Sequence, residues 1–218
     1  MSESAKINRH LLVWGLATIP FVAALMTWVD VPLALYFNSY RETWWADMFD
    51  FITNFASGLI WYPLAVLGIV FAWLRHKKRV PHPTRFLQEL RAWLFMIAVM
   101  ASSGTFVNAV KLAVGRERPR LLFRDGTTGF HPFALNIDDC GFPSGHTQSI
   151  WTAMLCLALL FPRLRILFFT AAVFVSASRI VIGAHYAADV AASLYVAFFA
   201  VLVWKRWFEK DGISVRLA

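Results

Sequence analysis

The sequence predicts an all-α membrane protein: a polytopic bundle of six transmembrane helices with both termini in the cytoplasm, folded as one domain over residues 1–218. Three observations carry that prediction. The chain is 59% hydrophobic and 16% charged, with a mean hydropathy of +0.57, whereas soluble domains carry about a quarter charged residues. Its apolar residues gather in six runs. Fourteen of its 21 Lys and Arg fall in alternate connections between those runs. A soluble enzyme, a disordered tail and a disulfide scaffold are all excluded, because one soluble core of this size cannot hide so much apolar mass.

The first run, residues 11–28, follows Lys6 and Arg9, as a signal peptide would. No small-x-small cleavage site comes after it, and Trp28 and Asp30 close it, so it is expected to be a retained span. Trp44 and Trp45, with Phe49 and Phe51, suggest a short helix at the outer interface, an aromatic belt without substrate contact. Runs 56–74 and 93–110 supply the second and third spans, and the mixed segment 83–91 is expected to lie along the inner interface. Runs 147–161 and 166–178 reach a spanning length of about 18 residues only with flanking polar residues. Run 187–204 is the sixth span.

The fourteen basic residues lie in the N-terminal tail, the 75–91 loop, at Arg163 and Arg165, and in the tail after residue 204. The positive-inside rule places that set in the cytoplasm. It also accounts for the net charge of +8 without a nucleic-acid partner, since no basic stripe interleaves with aromatics. Cys140 lies in a polar loop and Cys156 in an apolar run, so no disulfide is expected.

Ionisable residues at the edges of spans are costly and mark functional positions. Lys111 ends the third run, Arg179 the fifth, and Asp189 lies just inside the sixth. Counting spans brings three stretches to the outer surface. In Lys111–Pro119 the two cations Lys111 and Arg118 are seven apart, so a continuing helix would show both on one face. In 143–146 (Pro-Ser-Gly-His), Ser144 is a fair N-cap and Gly145 permits close backbone approach, so the free N–H groups suit an anion. In 178–189, His185 and Asp189 are i and i+4 on one helical face. Cations and N–H donors suit a transferring phosphoryl group. One histidine can attack phosphorus while the other protonates the leaving oxygen.

These patterns, K-x6-R-P, P-S-G-H and S-R-x5-H-x3-D, are all met without a gap. They resemble the type 2 phosphatidic acid phosphatase family, which includes bacterial lipid phosphatases and relatives of the vanadium haloperoxidases. The resemblance implies a six-helix membrane phosphatase that uses no metal or other cofactor and works at the outer leaflet of a cytoplasmic (inner) membrane. It implies His185 as nucleophile through a phosphohistidine, Asp189 as its partner and His146 as general acid. Lys111, Arg118, Ser144, Gly145 and Arg179 would bind phosphate. Expected substrates are undecaprenyl pyrophosphate, phosphatidylglycerol phosphate, phosphatidic acid or a lipid A phosphate, with the bilayer as the remaining partner. A lipid-to-lipid phosphotransferase is the nearest alternative. A transporter is less favoured, since its charges would sit near the midplane.

Other phosphatase chemistries lack their motifs: there is no Cys-x5-Arg loop, Asp-x-Asp-x-Thr or Walker sequence, and no metal-ligand spacing. Adjacent Asp138 and Asp139 read as a solvated turn. Arg116, Arg120 and Arg124 are expected to meet either a second anionic group of the substrate or anionic lipids generally.

Overall fold

The computed structural model describes residues 3–78, 83–210, 212 and 214–217. Among them every named element is helical: α1 (Glu3–Ala24), α2 (Asp30–Asn38), α3 (Trp44–Thr53), α4 (Gly58–Lys78), α5 (Pro83–Val114), α6 (Pro119–Asp125), α7 (Gly145–Leu160), α8 (Arg165–Val181) and α9 (Ala187–Phe208). Short 3-10 turns join several of them, and a π turn, Leu25–Val29, joins α1 to α2. Among the described residues, five helical stretches are long and apolar enough to cross a membrane: Val13–Asn38, Gly58–Lys77, Thr84–Val114, Pro162–Val181 and Ala187–Phe208.

The fourth run, 147–161, became α7, which at 16 residues falls short of that length. It is instead the enclosed centre of the bundle, packed against α5, α8 and α9. Both its polar residues Thr147, Gln148 and Thr152 and its apolar ones Ile150, Ala153 and Cys156 are buried. Small residues let the neighbouring helices come close, with Ala153, Ala172 and Ala197 fully buried between them. Polar side chains are satisfied across helices: Gln148 Nε2 donates to Ser103 Oγ at 2.6 Å, and Trp151 Nε1 to Ser176 Oγ at 2.8 Å.

Two expectations change here. Segment 83–91 is not a separate interfacial piece: α5 runs unbroken for 32 residues from Pro83. Its first turns are tied to the C-terminal segment, where Gln88 Nε2 donates to the Arg216 carbonyl at 2.6 Å. The first span is not a plain helix either. It contains Pro20 and then the π turn, one of the recognised ways in which a helix shifts its register. After that turn Asp30 faces inward and is 1% exposed. The cysteines are both free, as expected, with Cys156 in the core. Arg79 of the basic loop lies outside the described residues.

Candidate active site

Three helix ends meet at one end of the bundle: the C-terminus of α5 and the N-termini of α7 and α9. Ser144, at the head of α7, donates its N–H to the Asp189 carbonyl in α9 at 3.2 Å. Lys111, in the last turn of α5, sends Nζ to the Cys140 carbonyl at 2.6 Å. Its Cε comes within 3.7 Å of the point where a Gly145 side chain would begin. The three sequence stretches therefore do converge.

The loop between α5 and α7 builds the site's walls by backbone pairing. Gly141 donates to the Arg116 carbonyl at 2.7 Å, Arg118 to Asp138 at 2.9 Å and His131 to Gly115 at 2.6 Å. Glycine is required at two of these points. Gly115 has φ +59° and a Cβ there would lie 1.8 Å from the His131 oxygen. A Cβ at Gly141 would press to 2.8 Å from the Arg116 oxygen.

That fold delivers the Gly141 carbonyl to His185, whose Nδ1 lies 2.8 Å from it. A carbonyl oxygen can only accept, so Nδ1 carries the proton and Nε2 keeps its lone pair. The Asp189 Oδ2 atom is further from Nδ1, at 3.5 Å. It accepts instead from the Tyr186 N–H at 2.8 Å, capping α9. The sequence pattern made Asp189 the partner of His185; in the fold the imidazole Nδ1–H donates directly to the Gly141 carbonyl, and the carboxylate stands behind it.

Lys111, Arg118 and Arg179 surround this histidine. His185 is 2% exposed, and its pKa is held well below 6.5, first by burial and then by the charges of those three cations. The same three charges act on His146, which is exposed and has no hydrogen-bond partner among the described residues. Two donors point to an anion. The Nε–H groups of Arg118 and Arg179 are buried with no hydrogen-bond partner among the described residues. The α7 N-terminus faces the same place, with Ser144 capping by accepting from Thr147 N at 3.3 Å and its first-turn N–H groups free of intrahelical bonds.

Residues 92–213, more than half the chain, match the sequence model of the PAP2 superfamily. The chain belongs to the PAP2 superfamily. Two lipid A 1-phosphatases are similar to it: that of Rhizobium johnstonii is 34% identical over 133 residues, 61% of this chain and 54% of the relative. That of Rhizobium etli is 33% identical over 61% of this chain and 56% of its own. The chain thus spans about half the length of the curated relatives it matches. Among solved structures, a transmembrane PAP2-type phosphatidylglycerolphosphate phosphatase from Bacillus subtilis superposes with TM-score 0.67 at 20% identity, over 92% of this chain and 96% of that one. Aquifex aeolicus LpxE does so with TM-score 0.58 at 18% identity, over 81% and 94%. At those identities the likeness is one of PAP2 fold.

Several residues at this site take roles that the local sequence did not indicate. Arg116, read as a lipid or headgroup contact, is buried instead. Its Nη1 donates to Asp189 Oδ1 at 2.6 Å and its Nη2 to Asp30 Oδ2 at 2.7 Å. Asp30 also accepts from the Ala188 N–H at 2.9 Å, so α2 is tied to the start of α9. The aromatic helix α3 touches the site too, because its Thr53 hydroxyl accepts from Arg179 Nη1. Arg120 and Arg124 remain at the surface, pairing with Asp138 and Asp125. A carboxylate–histidine cluster absent from local spacing is assembled by the loop: Glu117, His131 and Asp139 place one ligand atom each within 4.8 Å of one another.

Proposed function

We propose that this protein is a multi-pass membrane lipid phosphatase that cleaves a lipid phosphomonoester or pyrophosphate through a phosphohistidine on His185. The observation that carries the reading is the pairing of a neutral, buried His185, its Nε2 lone pair unengaged, with the unpartnered Nε–H donors of Arg118 and Arg179. In the proposed reaction Lys111, Arg118, Arg179, the Ser144 hydroxyl and the Gly145 N–H at the head of α7 hold the three equatorial oxygens of the phosphoryl group. His185 Nε2 attacks phosphorus as the lipid oxygen departs with a proton from His146. His146 then takes a proton from the water that attacks the phosphohistidine, releasing phosphate. The imidazolium that forms at His185 is favoured by the Asp189 carboxylate 3.5 Å away. Fixed cations do here what a catalytic metal does elsewhere.

An apolar groove supports a lipid substrate. It has a volume of about 920 Å³ and follows α1, α5 and α9 from Phe142 and Pro143, just before Ser144, past Val22 and Phe106 toward Val203. Phosphate at the helix ends and acyl chains in this groove make one continuous binding mode. Since the similar curated proteins are lipid A 1-phosphatases, the 1-phosphate of a lipid A is the first substrate we assign. The phosphatidylglycerol phosphate, undecaprenyl pyrophosphate and phosphatidic acid classes follow it. The proposed topology has six spans, α7 included, with the site facing the periplasm or exterior of an inner membrane and both termini inside.

The test is phosphate release by the detergent-purified chain from each of the four lipids. Preferential release from lipid A fits the assignment. Preference for another of the four moves the substrate within the same function. No release from any of them overturns the phosphatase reading, and phosphate transferred to an added acceptor lipid instead of water makes the protein a phosphotransferase.

A further inference from the structure

A second polar cluster, on the outer loop, takes no part in the chemistry above. Glu117 follows Arg116 at the start of the loop, His131 follows Phe130, which makes an isolated bridge to Arg116, and Asp139 ends a 3-10 turn. Backbone bonds bring them together: Glu117 N donates to the Gly129 carbonyl at 3.0 Å, and Arg118 N to the Asp138 carbonyl at 2.9 Å. One ligand atom from each residue lies within 4.8 Å of the others.

An ordinary ion pair does not account for this arrangement. His131 Nε2 is 2.9 Å from Glu117 Oε1, which satisfies one carboxylate oxygen. The other, Oε2, is buried and has no hydrogen-bond partner among the described residues, in a residue only 7% exposed. A buried carboxylate oxygen left unpaired is costly. Oε2 faces the same small space as His131 Nε2: each is 3.6 Å from the point where a Gly129 side chain would begin. A second carboxylate, Asp139, converges there with no cation or donor bonded to it among the described residues. Two carboxylates and one imidazole together, with one buried oxygen orphaned, call for a positive charge between them.

We propose that Glu117, His131 and Asp139 bind a divalent transition-metal cation, Zn²⁺ by donor type, which fastens the outer loop and takes no part in phosphoryl transfer. One nitrogen and two carboxylate oxygens plus water suit Zn²⁺, whose ligands sit about 2.0–2.2 Å from the ion. Ca²⁺ and Mg²⁺ prefer oxygen-only sets of six or more ligands. Drawing these three groups onto a common ion needs only a small contraction of the cluster. Two ligands adjoin residues of the phosphate site, Glu117 beside Arg118 and Asp139 beside Cys140, whose carbonyl receives Lys111 Nζ. A bound ion therefore steadies the loop that presents the Gly141 carbonyl to His185.

The experiment uses the full chain, untagged and stripped with chelator, and titrates Zn²⁺ by calorimetry, with thermal unfolding measured in parallel. One ion per chain is expected, together with a rise in Tm. His131→Ala and Asp139→Asn should each weaken binding by about tenfold or more, at least the loss caused by removing a partner that merely orients a ligand. The double variant should lose the Zn²⁺-dependent rise in Tm. His131 is exposed and Asp139 half-buried, so these variants keep the fold; Glu117→Gln, at a buried position, is a supporting variant only. Absence of Zn²⁺ binding overturns the proposal, as does binding that is equally strong in the double variant.

Discussion

Arg116 and Asp189 form a buried ion pair, with Nη1 2.6 Å from Oδ1, and the other arm of the same guanidinium reaches Asp30 at 2.7 Å. One arginine from the α5–α7 loop thus holds together the first and last membrane helices beside the histidine. The fork geometry makes Arg116 irreplaceable by Lys, which offers a single point charge. Removing Asp30 leaves the guanidinium half paired, and removing Arg116 leaves two buried carboxylates facing each other. Asp30→Ala and Arg116→Ala should each cost about 3–5 kcal/mol of stability, the range for breaking a buried pair. Thermal unfolding in detergent measures this, and unchanged Tm values in both variants would remove Arg116 from the architecture.

Asp189 combines two duties, and one substitution tests both. Asn keeps the size but weakens the bond to Arg116 and removes the charge behind His185. Asp189→Asn should lower turnover by roughly 10²–10⁴-fold, on the analogy of a serine-protease triad. It should also lower Tm, which the i,i+4 spacing alone did not imply. Near-normal turnover in the folded variant would mean that the Gly141 carbonyl suffices to orient the imidazole.

The two histidines should separate on leaving groups. An alkyl phosphate needs a proton on its departing oxygen, whereas a nitrophenolate leaves with little help. His146→Ala should therefore lose far more kcat/KM on an alkyl than on an aryl phosphate, and His185→Ala should lose both. Equal losses for His146→Ala would make it a binding residue. Aryl activity remaining in His185→Ala but not in His146→Ala would reverse the roles.

The pH dependence follows from His185. Burial, reinforced by Lys111, Arg118 and Arg179, holds its pKa well below 6.5, so the nucleophile stays neutral as pH falls through that value. The unfolded chain takes up this proton below about pH 6.5 and the folded chain does not, so folding stability declines as pH drops below that point. Between about pH 5 and pH 8, kcat/KM, corrected for substrate ionisation, should show no acid limb at the ordinary histidine value. A limb there, assigned to His185 by its loss in the variant, would contradict the site's electrostatics.

The sequence made the helices legible because apolar runs and span-edge charges are local signals. The convergence of Lys111, His146 and His185 was legible too, since it needs only the parity of the spans. What stayed hidden depended on contacts far apart in the chain. Arg116 meets Asp30 across 86 positions and Ala188 N meets Asp30 across 158. No local pattern announces that a π turn will aim Asp30 inward, or that a carbonyl at Gly141 will take the bond foreseen for Asp189. Thr53 was hidden for the same reason, inside a helix whose many aromatics read as an interfacial belt.

Orientation is tested with reporters. The proposed topology predicts a cytoplasmic reporter after residue 78 and an external one near Gly126. The reverse pattern would place the site on the cytoplasmic face.

The covalent intermediate is the most direct test of the account. Purified enzyme mixed with a ³²P-labelled lipid phosphate and quenched in alkali should carry label on the peptide containing His185. Because a phosphoramidate is labile to acid and stable to base, that label should vanish on acid treatment. It should be absent from His185→Ala. Label on another residue, or turnover by His185→Ala at the wild-type rate, would contradict the account.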